Sequence, residues 1–207
     1  MLINLDGLQM DKRPWLTFFS QTGSEIADLS EKLGRWPSRI ITNERPEHLR
    51  TIDPRIVQHG FVTLPNKPSI ENYYSVLDYY KDAIVTLHGW LRIFPSELCG
   101  QFETYNGHPG LITKYPELKG KDPQIRAFEG GYKIGGSVIH EVTSGVDEGR
   151  VISSREVSLD GLDLDGTFRI LRDTSQSLWV DFLKTKLDEN RQNSISWSLQ
   201  YGEDDSV

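Results

Sequence analysis

An asparagine and a histidine, Asn106 and His108, flank a single glycine, and an aspartate, Asp147, opens an Asp-Glu-Gly sequence further along the chain. An amide and a protonated imidazole can each donate a hydrogen bond to the oxyanion that forms when an amine attacks a carbonyl carbon. A carboxylate can relay the protons of such a reaction, or keep the histidine charged by pairing with it. If the fold brings these three side chains together, they predict an enzyme that moves an acyl group between nitrogen atoms.

Each of these motifs also has a purely structural interpretation. An Asn-Gly pair is common in turns, and Asp-Glu-Gly is typical of a hairpin connection. Alternate side chains of an extended chain share a face, so Asn106 and His108 are expected to point the same way. Gly107 and Pro109 are expected to hold them on a short, stiff loop. The choice between the two interpretations depends on the motifs that accompany these residues.

Length and composition limit the classes of protein to consider. The 207 residues predict one domain spanning 1–207, whose core needs no disulfide or metal. A formal net charge of -7 argues against a general nucleic-acid binder. Cys99 is the single cysteine, and no Cys/His cluster has zinc-site spacing, so we expect no metal. Without a signal sequence or a run of roughly 18 apolar residues, the chain is expected to be cytoplasmic, with no membrane partner.

The order of the predicted elements indicates an α/β fold. Strands are predicted over residues 15–19, 39–43, 60–64 and 83–87. Helical periodicity covers residues 26–33, with Gly34 as a C-cap, and residues 70–80. This alternation predicts a mostly parallel sheet with helices on both faces.

The second half of the chain has a different pattern. Residues 136–142 and 150–157 predict an antiparallel strand pair, with Asp147 at the apex of its connection. The remaining predicted segments are a loop over 109–123, helices over 124–129 and about 167–187, an N-terminal arm over 1–13 and a frayed tail over 202–207.

Several ordered segments between about residues 84 and 157 resemble the folate-dependent formyltransferases, most closely the glycinamide ribonucleotide transformylases. These segments are residues 88–94, 106–111, 114–116, 140–143 and 146–149. The resemblance implies a Rossmann-like formyltransferase fold. It also implies transfer of a formyl group from 10-formyltetrahydrofolate, a co-substrate, to a primary amine.

The resemblance assigns roles to particular residues. It implies that Asn106, His108 and Asp147 are the catalytic residues. The residues that it places around the pterin of the reduced folate are Leu91, Arg92, Ile93, Phe94, His140, Val142, Thr143 and Val146. Two alternatives stay open: Arg92 as a surface cation, and His140 as a hydrogen-bonded structural residue.

The turn Thr22-Gly23-Ser24 lies between the first strand and the first helix, where free N–H groups and the helix dipole attract phosphate. The resemblance implies that this turn holds the phosphate of the acceptor, although an ordinary strand-to-helix turn has the same sequence features. Its single glycine argues against dinucleotide binding. A group of cations around the long loop either steers an anionic ligand or is solvated: Lys114, Lys119, Lys121, Arg126 and Lys133.

The chain differs from the resembling enzymes on the substrate side. The acidic residue that they present from the last helix is matched by Thr174, beside Asp173, and residues 118–124 are not rich in histidine. The acceptor therefore stays open between a glycinamide ribonucleotide-like compound of purine biosynthesis and an amino-sugar nucleotide. A tRNA is not expected, because the chain is acidic and lacks the extra C-terminal domain of the tRNA-specific enzymes.

Three functions are carried forward. The first is the formyltransferase, with a small amine and a reduced folate as ligands and a homodimer as an open possibility. The second is a 10-formyltetrahydrofolate hydrolase that passes the formyl group to water. The third is a folate- or nucleotide-binding protein without turnover.

Overall fold

The computed structural model describes residues 13–43, 51–80 and 82–188. Its strands are β1 (Trp15–Phe19), β2 (Arg39–Thr42), β3 (Val62–Thr63), β4 (Ile84–His88), β5 (Glu103–His108), β6 (Ile134–Glu141) and β7 (Val151–Ser158). Its α-helices are α1 (Ser24–Leu33), α2 (Pro54–His59), α3 (Ile70–Leu77), α4 (Pro123–Glu129) and α5 (Leu164–Asp188).

The strands of the described residues form one sheet of seven, in the order β3-β2-β1-β4-β5-β6-β7. Strands β1 to β5 are parallel, whereas β6 is antiparallel to β5 and β7 is antiparallel to β6. The predicted mostly parallel sheet with an antiparallel C-terminal strand pair is therefore confirmed. Because the carboxyl ends of β1, β4 and β5 meet at one edge, Phe19 lies beside His88, and Leu87 lies beside Asn106.

Helices cover both faces of the sheet, as predicted. On one face, α1 and α5 pack against Trp15, Ile84 and Tyr105. On the other, α3 packs against Phe18 and Val85. Alternate residues of a strand point to opposite faces, so a central strand covered on both sides is mostly apolar, and every residue of β1 is buried.

Two elements differ from the sequence prediction. Helix α2 was not predicted, although Asp53 accepts a hydrogen bond from the Arg55 N–H and Pro54 occupies the first turn, both of which are helix start signals. Strand β5 includes Asn106 and His108, so these residues end a paired strand rather than lie on the expected loop. The neighbouring strands β4 and β6 supply pairing that the polar sequence of β5 does not reveal.

Most other boundaries agree closely with the prediction, but β3 covers only Val62–Thr63 of the predicted 60–64, and α3 ends at Leu77 rather than at residue 80. Helix α5 begins at Leu164, before the predicted residue 167, and α4 begins at Pro123. The predicted tail over 202–207 and the predicted arm, apart from Arg13, lie outside the described residues. Within the described residues, none of the helices combines the length and the apolar character needed to cross a membrane.

Helix α5 approaches β5 closely at Gly107. A Cβ atom at this position would lie 2.5 Å from Nε1 of Trp179, which is closer than real Cβ contacts. The indole is almost fully buried against His88 and Phe182, so it has little room to move. Gly107 is therefore required by packing between the strand and the helix.

Replacing Gly107 by alanine should lower the free energy of unfolding by about 1–3 kcal/mol, because the added methyl group overpacks this contact. Urea denaturation of Gly107→Ala, Trp179→Leu and the double variant would measure the coupling. In the Trp179→Leu background the cost of the added methyl should fall by at least about half. An equal cost in both backgrounds would show that the indole does not exclude the methyl group.

Candidate active site

Asp147 is the centre of a cluster of polar side chains. Its Oδ2 lies 3.2 Å from His108 Nδ1 and accepts a hydrogen bond of 2.9 Å from the Gly120 N–H. Its Oδ1 lies 3.3 Å from His140 Nε2 and 3.5 Å from Asn106 Nδ2. The structure thus brings together the three residues that the sequence analysis expected to meet.

Strand geometry explains how these residues converge. Asn106 and His108 are two residues apart on β5 and both reach the same carboxylate, as the alternation of an extended chain predicts. His140 lies directly opposite Asn106 in the antiparallel register of β6. Its Nε2 lies 3.2 Å from Asn106 Nδ2.

Asp147 reaches the cluster through an uncommon backbone conformation. It lies in the connection between β6 and β7, as predicted, with a φ of 53°, in the left-handed region that non-glycine residues rarely adopt. The residue is only 8% exposed, so it turns inward and is not the open apex of a hairpin. A strained residue held in place by several partners is a common feature of functional sites.

The partners of Asp147 keep its carboxylate charged. Burial opposes ionisation, but hydrogen bonds from His108, His140 and the Gly120 N–H, together with the charge of His108, outweigh it and hold the pKa of Asp147 far below its usual value. The cluster therefore contains a permanent negative charge at neutral pH.

Both nitrogens of the His108 ring face acceptors. Nδ1 faces Asp147, and Nε2 donates a hydrogen bond of 2.8 Å to the Leu118 carbonyl oxygen. Such a ring can donate through both nitrogens only when it is protonated. His108 is buried, and in this conformation its donors are occupied by protein atoms, whereas the sequence analysis expected it to donate directly to a bound oxyanion.

A cavity of about 550 Å³ opens beside Asn106 and Asp147. All eight residues expected to surround the pterin line it, namely Leu91, Arg92, Ile93, Phe94, His140, Val142, Thr143 and Val146. The sequence analysis did not place three further lining residues in a cavity: Leu87, Trp90 and Lys121. Lys121 had been identified only as part of the loop cations.

Apolar side chains at this cavity are unusually open to solvent. Leu91, Ile93 and Val146 are 59%, 73% and 61% exposed. Large apolar side chains that line a cavity without being buried indicate a surface that a ligand covers.

The segment that carries Leu91 and Arg92 is tied to the neighbouring loop. Arg92 donates from Nε to the Asn66 carbonyl and from Nη2 to Asn66 Oδ1, both at 2.6 Å, and from Nη1 to the Leu91 carbonyl at 2.7 Å. The Leu91 N–H donates to Ser20 Oγ at 3.0 Å. Arg92 therefore clamps this wall of the cavity and is not a freely solvated cation.

The turn Thr22-Gly23-Ser24 lies at the same sheet edge but does not line the cavity. Gly23 has a φ of 71° and precedes α1, where a side chain would strain the backbone. The Ser24 N–H makes a long hydrogen bond of 3.3 Å to Thr22 Oγ1. Phosphate binding at this turn stays a prediction.

A second polar cluster near α1 was missed by the sequence analysis. Glu25 Oε2 lies 3.0 Å from His88 Nδ1, and Ser175 Oγ donates to Glu25 Oε1 at 3.4 Å. Burial opposes ionisation of Glu25, but other interactions, chiefly the hydrogen bond and charge of His88, keep the pKa of Glu25 below its usual value. Thr174, the residue that the sequence analysis matched to the acidic position of the last helix, donates to the Ile170 carbonyl of its own helix. The sequence features that could have revealed this cluster are Glu25 in the first turn of α1 and His88 at the end of β4.

Replacing Asp147 by Asn should lower the free energy of unfolding at neutral pH by about 3 kcal/mol, because it removes one partner of a buried charged cluster. The depressed pKa of Asp147 contributes stability above the unfolded pKa of about 3.9, and this contribution is lost as the pH falls toward the folded value. The difference in the free energy of unfolding between the wild-type protein and the variant should therefore decrease below about pH 4, by up to about 1.4 kcal/mol per pH unit. Urea denaturation between about pH 3 and pH 7 measures it.

The exposed helix residue Asp173 provides the control, since Asp173→Asn should leave stability within about 0.5 kcal/mol at every pH. If Asp147→Asn lowers the free energy of unfolding by the same amount at pH 3 as at pH 7, the inferred charge of Asp147 is contradicted.

Comparison with known proteins bears on the family of this chain. The sequence profile of the family described as Formyl transferase matches residues 42–168, more than half of the chain. The phosphoribosylglycinamide formyltransferase of Bacillus subtilis is 29% identical over 82 residues, which cover 39% of this chain and 40% of that protein. A methionyl-tRNA formyltransferase of Pseudothermotoga lettingae is 32% identical over 84 residues, which cover 40% of this chain and 27% of that protein. The alignments thus span less than half of these curated relatives.

Solved structures share the fold over most of the chain. The phosphoribosylglycinamide formyltransferase from Bacillus halodurans has a TM-score of 0.71 at 23% identity, covering 86% of this chain and 96% of that one. A formyltetrahydrofolate deformylase from Pseudomonas syringae pv. tomato has a TM-score of 0.70 at 22% identity, covering 86% of this chain and 62% of that one. With the family profile that covers the site, these findings establish that the chain belongs to the Formyl transferase family.

Proposed function

We propose that this protein is an N-formyltransferase that moves a formyl group from 10-formyltetrahydrofolate to the primary amine of a small acceptor. The observation that carries this proposal is the cavity with apolar walls that opens onto Asn106 and Asp147. The cavity and the cluster lie within the region that matches the family profile.

The residues around the cavity suit a reduced folate. A volume of about 550 Å³ is in the usual range for a small-molecule site. The exposed side chains of Leu91, Ile93 and Val146 offer apolar surface to a flat heterocycle, while Asn106 and Asp147 offer polar atoms to its reacting part. When bound, 10-formyltetrahydrofolate supplies the formyl carbon.

Asn106 is the donor best placed for the formyl oxygen. It lines the cavity, and one N–H of its amide donates to Asp147 Oδ1 at 3.5 Å before any ligand binds, which leaves the second N–H for a ligand. A donor positioned in advance stabilises the charge that develops on the oxygen without further reorganisation, a contribution of roughly 3 kcal/mol in acyl transfer.

Asp147 and His108 are proposed to direct proton transfer and to stabilise charge. The ionised Asp147 carboxylate lines the cavity, where it can position a water molecule that carries the proton from the attacking amine to folate N10. Its second role is to pair with His108 and so favour the charged ring. For His108 to donate to the substrate, its Nε2 must exchange the Leu118 carbonyl for the formyl oxygen.

The acceptor is proposed to be small and either phosphorylated or nucleotide-linked. The Thr22-Gly23-Ser24 turn lies at the carboxyl edge of the sheet, which also carries the Asn106 cluster, and precedes a ten-residue helix. Backbone N–H groups and the helix dipole favour an anion at such a turn. Glycinamide ribonucleotide-like compounds and amino-sugar nucleotides both combine such an anion with an amine.

A hydrolase is the second candidate, because the formyltetrahydrofolate deformylase of Pseudomonas syringae shares the fold. Water instead of an amine would then attack the formyl carbon beside the same residues. A binding protein without turnover is the third candidate. It has no chemical need for a buried, permanently charged carboxylate that contacts both Asn106 and His108.

Incubation of the purified protein with 10-formyltetrahydrofolate and a panel of amines would test the three candidates. Tetrahydrofolate and an equal amount of formylated amine are expected for the transferase. Formate that appears without any amine would select the hydrolase. Folate binding with no product from either reaction would leave only the binding protein.

Replacing Asn106 by alanine should lower kcat by about 100- to 1,000-fold, with a change of less than about threefold in the dissociation constant of the folate. The lost amide acts mainly on charge that develops during the reaction. Gln58→Ala, which removes an exposed amide on α2, is the matched control and should retain full activity. Equal activity of the two variants would refute the proposed role of Asn106.

Replacing Asn66 by alanine should weaken folate binding by about 3- to 10-fold and leave kcat at saturation nearly unchanged. The variant removes the side-chain oxygen that holds Arg92, and the cavity wall loses one charged hydrogen bond. Asn66→Asp keeps an oxygen in this position and should bind folate nearly as tightly as the wild-type protein. Folate titration monitored by tryptophan fluorescence, to which Trp90 in the cavity contributes, measures the dissociation constant of each variant, and initial rates at saturating folate give kcat. Identical binding by Asn66→Ala and Asn66→Asp would exclude a role for the Asn66 side chain in positioning this wall.

A further inference from the structure

One cation on the cavity wall has no protein partner among the described residues. Lys121 lines the cavity together with Asn106 and Asp147, and its side chain is exposed. No hydrogen bond or ion pair of its ammonium group is found within residues 13–43, 51–80 and 82–188. By contrast, Arg92 has every guanidinium nitrogen engaged by Asn66 or by the Leu91 carbonyl.

The backbone beside Lys121 is fixed to the reaction centre. The Gly120 N–H donates a hydrogen bond of 2.9 Å to Asp147 Oδ2. On the preceding side, the Leu118 carbonyl accepts from His108 and from Arg126. The loop therefore carries Lys121 to the polar cluster and holds it there, although the long side chain itself is free to reorient.

The charges around the cluster leave a developing negative charge on the formyl oxygen without a nearby positive charge, which Lys121 can supply. The Asp147 carboxylate is negative, and His108 faces that carboxylate from a buried position that does not line the cavity. Negative charge that develops on a formyl oxygen near Asp147 would be repelled by it. An unpaired ammonium group on the same wall reduces this repulsion.

We propose that Lys121 is a further catalytic residue, whose ammonium group faces the formyl oxygen and stabilises its developing negative charge. This inference rests on the proposed formyl transfer. As the amine nitrogen bonds to the formyl carbon, the π electrons of the carbonyl move to the oxygen. When they return, the bond to folate N10 breaks, and N10 takes up the proton that the amine loses. Lys121 keeps its own protons throughout.

The same loop provides a matched control. Lys119 is two residues earlier, carries the same charge and is exposed, but does not line the cavity. If the loop charge acts only by attracting anionic ligands, replacing either lysine should have a similar effect on activity. If the ammonium group acts directly on the formyl oxygen, only the replacement of Lys121 should lower activity.

Steady-state kinetics of Lys121→Met, Lys121→Arg and Lys119→Met, with the amine that the wild-type protein formylates, test the proposal. Lys121→Met should lower kcat by about 10- to 100-fold, while the folate dissociation constant changes by less than about threefold. Lys121→Arg should restore part of the rate, because it keeps the charge. Lys119→Met should stay within about twofold of the wild-type protein.

Circular dichroism and thermal melting of each variant verify folding, which substitution of an exposed lysine should preserve. A raised KM for the amine with unchanged kcat would overturn the proposal and assign Lys121 to acceptor binding. Equal kcat values for Lys121→Met and Lys119→Met would also overturn it. If the wild-type protein transfers no formyl group to any amine, the proposed function fails and this inference fails with it. Wild-type turnover with an unaffected Lys121→Met variant contradicts only the lysine assignment.

Discussion

The buried carboxylate of Asp147 is the interaction on which the site depends. It joins β5 through His108 and Asn106, β6 through His140, and the long loop through the Gly120 N–H. A buried charge is stable only when several donors surround it, so these elements must meet in one arrangement. The left-handed backbone of Asp147 is kept because this arrangement compensates for its strain.

Periodicity in the sequence predicted most of the sheet, because strands covered on both faces are mostly apolar and the helices between them have one apolar face. The same reasoning missed β5. Its residues 103–108 are mostly polar, and the Asn-Gly pair indicated a turn. Pairing with β4 and β6 overrides these local preferences, and a contact between distant strands has no local signal. Helix α2 was missed for a different reason, since its Asp-Pro start was available but its six residues are too short for clear periodicity.

The residues of the candidate site could be predicted from the sequence, but much of their arrangement could not. The resemblance named the residues that meet Asp147 and all eight expected cavity residues. The inward turn of Asp147, the engagement of His108 by the Leu118 carbonyl and the position of Lys121 arise from tertiary contacts. A lysine in a Pro- and Gly-rich loop resembles a solvated charge until the Gly120 hydrogen bond ties that loop to the site.

The electrostatics of the α1 edge restrict the acceptor further. Glu25 lies in the first turn of α1, so its carboxylate already occupies part of the positive field that the helix offers to an anion. His88 Nδ1 lies 3.0 Å from this carboxylate and holds it by a hydrogen bond. We therefore expect a phosphate at the Thr22-Gly23-Ser24 turn to bind more weakly than the helix dipole alone would allow. An acceptor that carries its amine toward Glu25 would meet an attractive carboxylate instead. For the proposed acceptor, we therefore expect the Glu25 carboxylate to favour the amine end at this edge of the sheet.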